Sequence, residues 1–158
     1  MAMTIRMTLS AVLLLAAATA HAQEAATRPA VEEFRAVTPI LNVRGVPASV
    51  AYYVDKLGFK KDWDWGAPPT FASVSRGNVT IFLCQGGQGQ PGTWLSLFVA
   101  DVDKVFEEYQ DSGATIVQAP TNFPWGLREM NVRDPDGHRL RIGSETAAKP
   151  DGVPLKED

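Results

Sequence analysis

Two copies of one pattern follow each other along this chain of 158 residues, and the repeat limits the folds open to it. At an offset of 55 residues, Val50 falls on Val105 and Gly58 on Gly113. In each copy a strand-like segment precedes an apolar stripe at helical spacing, and the stripe stops at a glycine. Glycine adopts positive φ without strain and therefore commonly ends helices. The repeat predicts one domain that is built from two similar units.

The same spacing predicts the order β-α-β-β-β in each unit, and hence an α+β fold. The first helix carries its apolar stripe as far as Leu57, and Gly58 follows it. The second helix has Asp101 as its N-cap and Gly113 at its end. The Gly-rich residues 87–92 (GQGQPG) are predicted to link the units. The individual strands are predicted at residues 39–43, 70–75, 78–84, 94–99, 115–118, 127–133 and 138–142.

The two ends of the chain differ in composition from this repeat. Arg6, the apolar run of residues 11–19 and the small residues of Ala20-His21-Ala22 are typical of a cleaved signal peptide over residues 1–22. We therefore expect a periplasmic or secreted protein with no stable membrane insertion after cleavage, the alternative being an uncleaved anchor. The predicted organisation is a signal peptide (1–22), a flexible lead (23–35), the domain (36–144, with modules 36–86 and 93–144) and a disordered tail (145–158).

Charge and cysteine content exclude two classes of protein. The formal net charge is −3, and it becomes −4 when the signal peptide and its Arg6 are removed, which argues against nucleic acid as a partner. Cys84 is the single cysteine, so the domain has no disulfide framework and depends on its apolar core. Cys84 itself is predicted to be a buried thiol on a strand.

The segment from Trp125 to Ile142 (WGLREMNVRDPDGHRLRI) predicts a hairpin whose tight turn contains Pro135, Asp136 and Gly137. Period-two alternation places the residues of each strand on two faces. His138 is predicted to point away from Arg141 and to face solvent. On the first strand the residues sharing one face are Leu127, Glu129, Asn131 and Arg133.

This hairpin resembles the closing hairpin of the vicinal oxygen chelate superfamily, which includes glyoxalase I, extradiol dioxygenases and bleomycin resistance proteins. The resemblance rests on residues 49–59 (SVAYYVDKLGF), the strand exit at residues 99–102 (VADV) and the DPDG of residues 134–137, in this order and spacing. It covers about 105 residues. It implies that the paired βαβββ modules form a curved mixed sheet around a cavity, with the helices packed outside.

The resemblance also locates four cavity positions where metal-dependent members carry metal ligands. In this chain those positions hold Thr38, Phe82, Trp94 and Arg141. None of them is His, Glu or Asp, the residue types that zinc, iron or manganese would need there. We therefore expect no metal, no other cofactor and no catalytic residues. Arg141 is predicted either to pair with a nearby carboxylate or to select an anionic ligand through bidentate hydrogen bonds.

Four tryptophans are many for a domain of this size, and their rings can stack on planar ligands. This pattern is similar to the bleomycin resistance proteins within the superfamily. It implies a homodimer that binds a small molecule, for which a glycopeptide antibiotic is one candidate, and that acts by sequestration. The predicted ligand-binding residues are Thr38, Asn42, Trp63, Trp65, Phe82, Trp94, Phe123, Trp125 and Arg141.

Two other functions stay open at the level of sequence. A metal-dependent lyase, isomerase or dioxygenase of the same superfamily would require a strand register displaced by one residue, which exchanges the two faces. An exported interaction module would use the aromatic residues to contact a protein partner. Metal analysis of the purified protein tests the first alternative. A monomer in sedimentation, together with no binding in a small-molecule screen, would favour the second.

Overall fold

The computed structural model describes residues 35–151, and its elements lie within residues 38–158, the second of two units into which the chain divides. The predicted signal peptide falls outside the described residues. The α+β class and the two βαβββ modules are confirmed. The first module contains β1 (Ile40–Val43), α1 (Val46–Asp55), β2 (Lys60–Gly66), β3 (Pro69–Arg76) and β4 (Val79–Gln85), and the second contains β5 (Trp94–Phe98), α2 (Val102–Ser112), β6 (Ile116–Asn122), β7 (Leu127–Arg133) and β8 (Arg139–Glu145).

The eight strands form two four-stranded sheets instead of one continuous sheet. Sheet A has the order β1-β4-β3-β2, and sheet B has the equivalent order β5-β8-β7-β6. In each sheet the first and last strands of the module pair in parallel, while the other pairs are antiparallel. Strand β2 was not among the predicted strands. All seven of its residues are exposed. Its alternation is limited to Trp63 and Trp65, with the charged Lys60, Lys61 and Asp62 before them in place of further apolar residues.

The two helices begin at equivalent points but end differently. Asp101 caps α2 by accepting hydrogen bonds from the backbone N–H groups of Asp103 and Lys104, as predicted. Gly113 ends that helix at φ 71°, in the left-handed region where glycine is favoured. Helix α1 ends at Asp55, before the predicted Leu57, and its C-cap is Lys56.

Both modules contribute to one apolar core. In sheet A, Leu41 and Leu83 are fully buried, and in sheet B so are Val132 and Leu140. Residues that alternate with these point to the opposite face of each sheet. Each sheet thus has one face on the core and a second face, here called its open face, which carries exposed side chains such as Trp65 in sheet A and Phe98 in sheet B.

Hydrogen bonds from two equivalent tyrosines join the modules. The hydroxyl of Tyr53 on α1 donates to Oδ2 of Asp134 at 3.1 Å, and the hydroxyl of Tyr109 on α2 donates to the carbonyl oxygen of Leu57 at 3.3 Å. Each tyrosine is the eighth residue of its helix, and each reaches into the other module. Arg76 and Glu108 add an ion pair between the modules, with Nη2 and Oε2 2.7 Å apart.

The prediction that His138 faces solvent is wrong, because the side chain is fully buried. Its Nε2 lies 2.8 Å from the carbonyl oxygen of Asn42 on β1, and its Nδ1 accepts from the backbone N–H of Thr93 at 3.2 Å. These contacts make Nε2–H the donor of the neutral imidazole. Alternation along the strand correctly separated His138 from Arg141. It did not reveal that the end of β8 packs against the other module.

Among the described residues, the structure contains no helix that is both long and apolar enough to cross a membrane.

Candidate ligand-binding site

Three aromatic rings form a cluster on the open face of sheet A. Trp63 on β2 stacks on Phe71 of β3, with ring centroids 5.6 Å apart and an interplanar angle of 17°. Phe82 on β4 contacts both, at centroid distances of 5.4 Å from Trp63 and 5.5 Å from Phe71. The register explains the cluster, because Ser73 of β3 is the partner of both Trp63 and Phe82. The three rings are called the aromatic cluster below.

A cavity of about 470 Å³ opens beside this cluster. Trp65, which is 71% exposed, and the buried Cys84 both line this cavity. Trp63 and Trp65 share a face, as expected for residues two apart in a strand. The complete lining is Trp63, Asp64, Trp65, Thr70, Phe71, Cys84 and Gln85.

A carboxylate lies at the edge of the same face. Asp62 accepts hydrogen bonds from the hydroxyl groups of Ser75 at 2.7 Å and Ser73 at 3.0 Å. The hydrogen bond from Ser75, together with those from Ser73 and Lys60, lowers the pKa of Asp62 against a smaller opposing effect of burial. Asp62 therefore remains ionised near neutral pH, and its charge is balanced by Lys60, whose Nζ lies 3.4 Å from Oδ1.

The Gly-rich linker approaches the first strand of sheet A closely. A β-carbon at Gly89 would lie 2.5 Å from the carbonyl oxygen of Ile40, so only glycine fits there. The side chain of Asn42 contacts the same linker at 3.4 Å, donating to the Gly89 carbonyl and accepting from the Gly86 N–H. Thr38, which is half-buried, precedes β1.

Sheet B presents a different set of side chains on its open face. Trp94 is 54% exposed, and the guanidinium carbon of Arg139 lies 5.6 Å from the centroid of its ring. Arg141 occupies the next outward position of β8, where Ser96 and Asn131 are its partners on the neighbouring strands. This face therefore combines exposed rings with arginine side chains.

A buried carboxylate holds Arg141. Glu129 on β7 is 2% exposed, and its Oε1 lies 3.4 Å from Nε of Arg141. Its Oε2 accepts a hydrogen bond from the indole N–H of Trp125 at 3.2 Å. The predicted alternative in which Arg141 pairs with a nearby carboxylate thus describes this chain. Glu129 finds room because Gly143, its partner on β8, has no side chain.

Two of the predicted ligand-binding residues, Phe123 and Trp125, lie between β6 and β7. Phe123 is buried, and Trp125 stacks on it with ring centroids 4.5 Å apart and an interplanar angle of 7°. The bond from Trp125 to Glu129 connects this stack to Arg141.

The predicted residues thus form two groups on two sheets. Trp63, Trp65 and Phe82 are brought together on sheet A, where Asn42 also lies. Trp94 and Arg141 lie on sheet B, and Phe123 and Trp125 lie in the connection between its strands β6 and β7. No strand of one sheet is hydrogen-bonded to a strand of the other. Within residues 35–151, no group of three or more His, Cys, Asp or Glu side chains is arranged to hold a metal ion.

The family follows from comparison of the sequence with known protein families. The model of the Glyoxalase/Bleomycin resistance protein/Dioxygenase superfamily matches residues 34–142. The chain belongs to this superfamily. A search of curated protein sequences finds no significant match.

Solved structures of other proteins share the superfamily fold. The bleomycin-binding protein from the bleomycin-producing Streptomyces verticillus, complexed with copper(II)-bleomycin, is 29% identical with a TM-score of 0.57, and the match covers 75% of this chain and 100% of that one. TioX from Micromonospora sp. ML1 is 24% identical with a TM-score of 0.64, covering 71% and 99% respectively. A glyoxalase/bleomycin resistance protein/dioxygenase from Nocardioides is 17% identical with a TM-score of 0.61, covering 87% and 99%.

The predicted ligand-binding residues of this superfamily member did not include three residues that shape the site. Phe71 completes the aromatic cluster, and the pairing set by the hairpin turn after Arg76 would have placed it opposite Cys84. Glu129 and Gly143 position Arg141. An isolated glycine within a strand commonly marks a close approach, and this was the available signal for Gly143.

Proposed function

We propose that this protein is a metal-free small-molecule-binding protein of the bleomycin-resistance type, which sequesters a toxic ligand without changing it chemically. The aromatic cluster of Trp63, Phe71 and Phe82 carries the proposal, because it presents ring surfaces beside an accessible cavity. Such rings stack on planar ligands and attract cations. A glycopeptide antibiotic such as bleomycin is the first candidate, supported by the 29% identity to the bleomycin-binding protein of Streptomyces verticillus.

Binding without turnover is supported by the four positions where metal-dependent members carry ligands. Thr38, Phe82, Trp94 and Arg141 offer a hydroxyl, two rings and a guanidinium group. Divalent transition metals require imidazole, carboxylate or thiolate ligands instead. We therefore assign no cofactor and no catalytic residue.

We further infer a homodimer in which the open face of sheet A meets the open face of sheet B of the partner. Both faces carry large exposed rings, with Trp63 and Trp65 on one and Trp94 and Phe98 on the other. Exposed apolar patches of this kind commonly mark interfaces or ligand grooves. In such a dimer, one ligand would contact the aromatic cluster of one subunit and Arg141 of its partner.

We propose that the mature protein acts outside the cytoplasm, after cleavage of residues 1–22. The composition of that segment supports export, and the acidic net charge supports attraction of a cationic drug before it enters the cell.

The first experiment is a titration of the purified protein with metal-free bleomycin, followed by tryptophan fluorescence, together with separate titrations using Zn²⁺ or Mn²⁺ alone. Saturable quenching by the drug that is lost in Trp63→Leu, and kept in the control Val117→Ala on the exposed surface of β6, is the expected result. A response to metal alone, without a response to the drug, would replace this proposal with a metal-dependent enzyme.

A further inference from the structure

We infer that Arg141 forms an anion-binding subsite on the open face of sheet B, and that the ligand is a flat aromatic molecule carrying a carboxylate or a similar planar oxyanion. The inference rests on the proposed binding function, and it assigns an anionic ligand class to this face in place of the cationic glycopeptide named there as the first candidate. It begins with the position of Arg141 at the centre of the open face, flanked by Ser96 on β5 and Asn131 on β7. Neither flanking side chain carries a charge that would compete for an anion.

The contacts of Arg141 leave the two terminal nitrogens of its guanidinium group available to a ligand. The shortest distance between the two charged groups is the 3.4 Å from Oε1 of Glu129 to Nε of Arg141, and within residues 35–151 the terminal nitrogens of Arg141 make no hydrogen bond. The arginine side chain is 42% exposed, whereas that of Glu129 is 3% exposed. A guanidinium group held at Nε still offers two donors to a carboxylate, so the buried Glu129 positions Arg141 without occupying its terminal donors.

The charges around Arg141 also favour an anion. Arg133 and Arg139 are cross-strand partners at the adjacent end of the face, so three arginines lie at successive outward positions of β7 and β8. Among the residues 35–151 of this face, Glu129 is paired with Arg141, and Glu145 lies at the far end of β8. The acidic Asp62 lies on the other sheet, although the net charge of the whole chain is −3.

Aromatic surface lies beside these arginines. Trp94 and Phe98 are 54% and 68% exposed, and they occupy the outward positions of β5 on either side of Ser96, the partner of Arg141. The guanidinium of Arg139 lies over one face of the Trp94 ring, so a ligand ring would stack on the other face, with its carboxylate directed to Arg141, two residues further along β8. The combination of one oriented guanidinium and two exposed rings therefore fits an aromatic acid better than an aliphatic anion.

The test compares two probes of the same shape, 2-naphthoate and 2-naphthamide, which differ in charge. Each is titrated into ¹⁵N-labelled protein, and the indole N–H signals, assigned with single Trp→Phe variants, report the site. We expect the wild type to bind naphthoate at least 10-fold more tightly than naphthamide, with the Trp94 signal shifting. Arg141→Met should remove this preference, whereas Lys104→Met, which loses the same charge on the exposed surface of α2, should keep it.

A second variant tests whether Arg141→Met acts only by destabilising the fold. Because Arg141→Met leaves Glu129 buried beside an apolar side chain, the double variant Glu129→Gln/Arg141→Met removes both charges and should also lose the preference. Equal affinity of the wild type for both probes, a preference retained without Arg141, or no change at Trp94 would each overturn the inference. Equal binding of both probes through the aromatic rings would leave the proposed function intact, whereas the absence of saturable quenching by bleomycin in the wild-type protein would not.

Discussion

Gly143 and Glu129 are cross-strand partners, and a β-carbon at Gly143 would lie 3.0 Å from Cγ of Glu129 and 3.5 Å from its Oε1. The space left by the glycine is therefore occupied by the glutamate side chain, which leans across β8 toward Arg141. Trp125 holds the other carboxylate oxygen. One small residue thus determines how a charged group on the open face of sheet B is oriented.

Gly143→Ala should displace Glu129 and destabilise the protein by about 1 kcal/mol, since an added methyl group overpacks a filled space. Urea unfolding measures the change, and the fluorescence of Trp125 reports the shift of its partner. Gly87→Ala is the matched control, because nothing lies within 4 Å of its added β-carbon. A stability for Gly143→Ala equal to that of the control would show that Glu129 adapts freely.

Phe71→Ala should weaken binding of an aromatic ligand about 10-fold, because Trp63 loses the ring on which it stacks. The stability loss should be about 1–3 kcal/mol, since Phe71 is half-buried. Fluorescence titration and urea unfolding separate the two effects. If affinity stays unchanged while stability falls, the aromatic cluster is structural and lies outside the ligand site.

His138→Phe should lower the free energy of unfolding by about 2–4 kcal/mol, because it leaves both the carbonyl of Asn42 and the N–H of Thr93 without their buried partner. Hydrogen exchange at the Thr93 amide should accelerate in the same variant. His138→Gln, which can donate and accept, is the control and should lose less. Wild-type exchange at Thr93 in the Phe variant would contradict this role of the histidine.

Asp134 and Asp136 should make opposite contributions to the pH dependence of stability. Burial raises the pKa of Asp134, even though hydrogen bonds from the backbone N–H groups of His138 and Asp136 and from the hydroxyl of Tyr53 oppose that shift. The native state then binds more protons than the unfolded chain between the ordinary aspartate pKa of about 3.9 and the raised value. Through that window the stability of the wild type, relative to Asp134→Asn, should fall as pH rises.

Asp136 should contribute to the pH dependence of stability with the opposite sign to Asp134. Burial would raise its pKa, but hydrogen bonds from the backbone and guanidinium of Arg44 and from Ser49 outweigh this effect and lower it. Its stabilising contribution is therefore complete above about pH 4 and is lost as pH falls through the native pKa. Urea unfolding of Asp136→Asn between pH 2 and pH 7 should show a deficit that shrinks toward acid. A deficit independent of pH would exclude the ionic contribution.

Local pattern was sufficient to predict most of the elements. The N-cap at Asp101, the glycine end at Gly113 and the turn around Gly137 depend on neighbours in sequence, and the structure contains all three. Strand β2 escaped prediction because its residues are exposed on both faces. The division into two sheets was not predicted either. Local alternation specifies the face on which a residue lies, but it does not specify which strand edges pair.

The candidate site shows the same limit. The predicted residues Trp63 and Phe82 meet because two registers place both opposite Ser73: that of the β3–β4 hairpin, and that of β2 and β3, which contains a register shift beside Trp63. The link from Trp125 through Glu129 to Arg141 joins residues on different elements, and it depends on space left by a glycine on a third. Residue types predicted the kinds of side chain on each sheet, whereas the contacts between them required the packed structure.

The exchange of tyrosines between the modules has a consequence for cutting the chain. Tyr53 needs Asp134 from the second half, and Tyr109 needs the Leu57 carbonyl from the first, so each half lacks an acceptor that only the other supplies. A single cleavage in the Gly-rich residues 87–92 should leave two fragments that remain associated, and fragments produced separately should reassemble when mixed. In this respect the two modules of one chain associate as the two subunits of a dimer do.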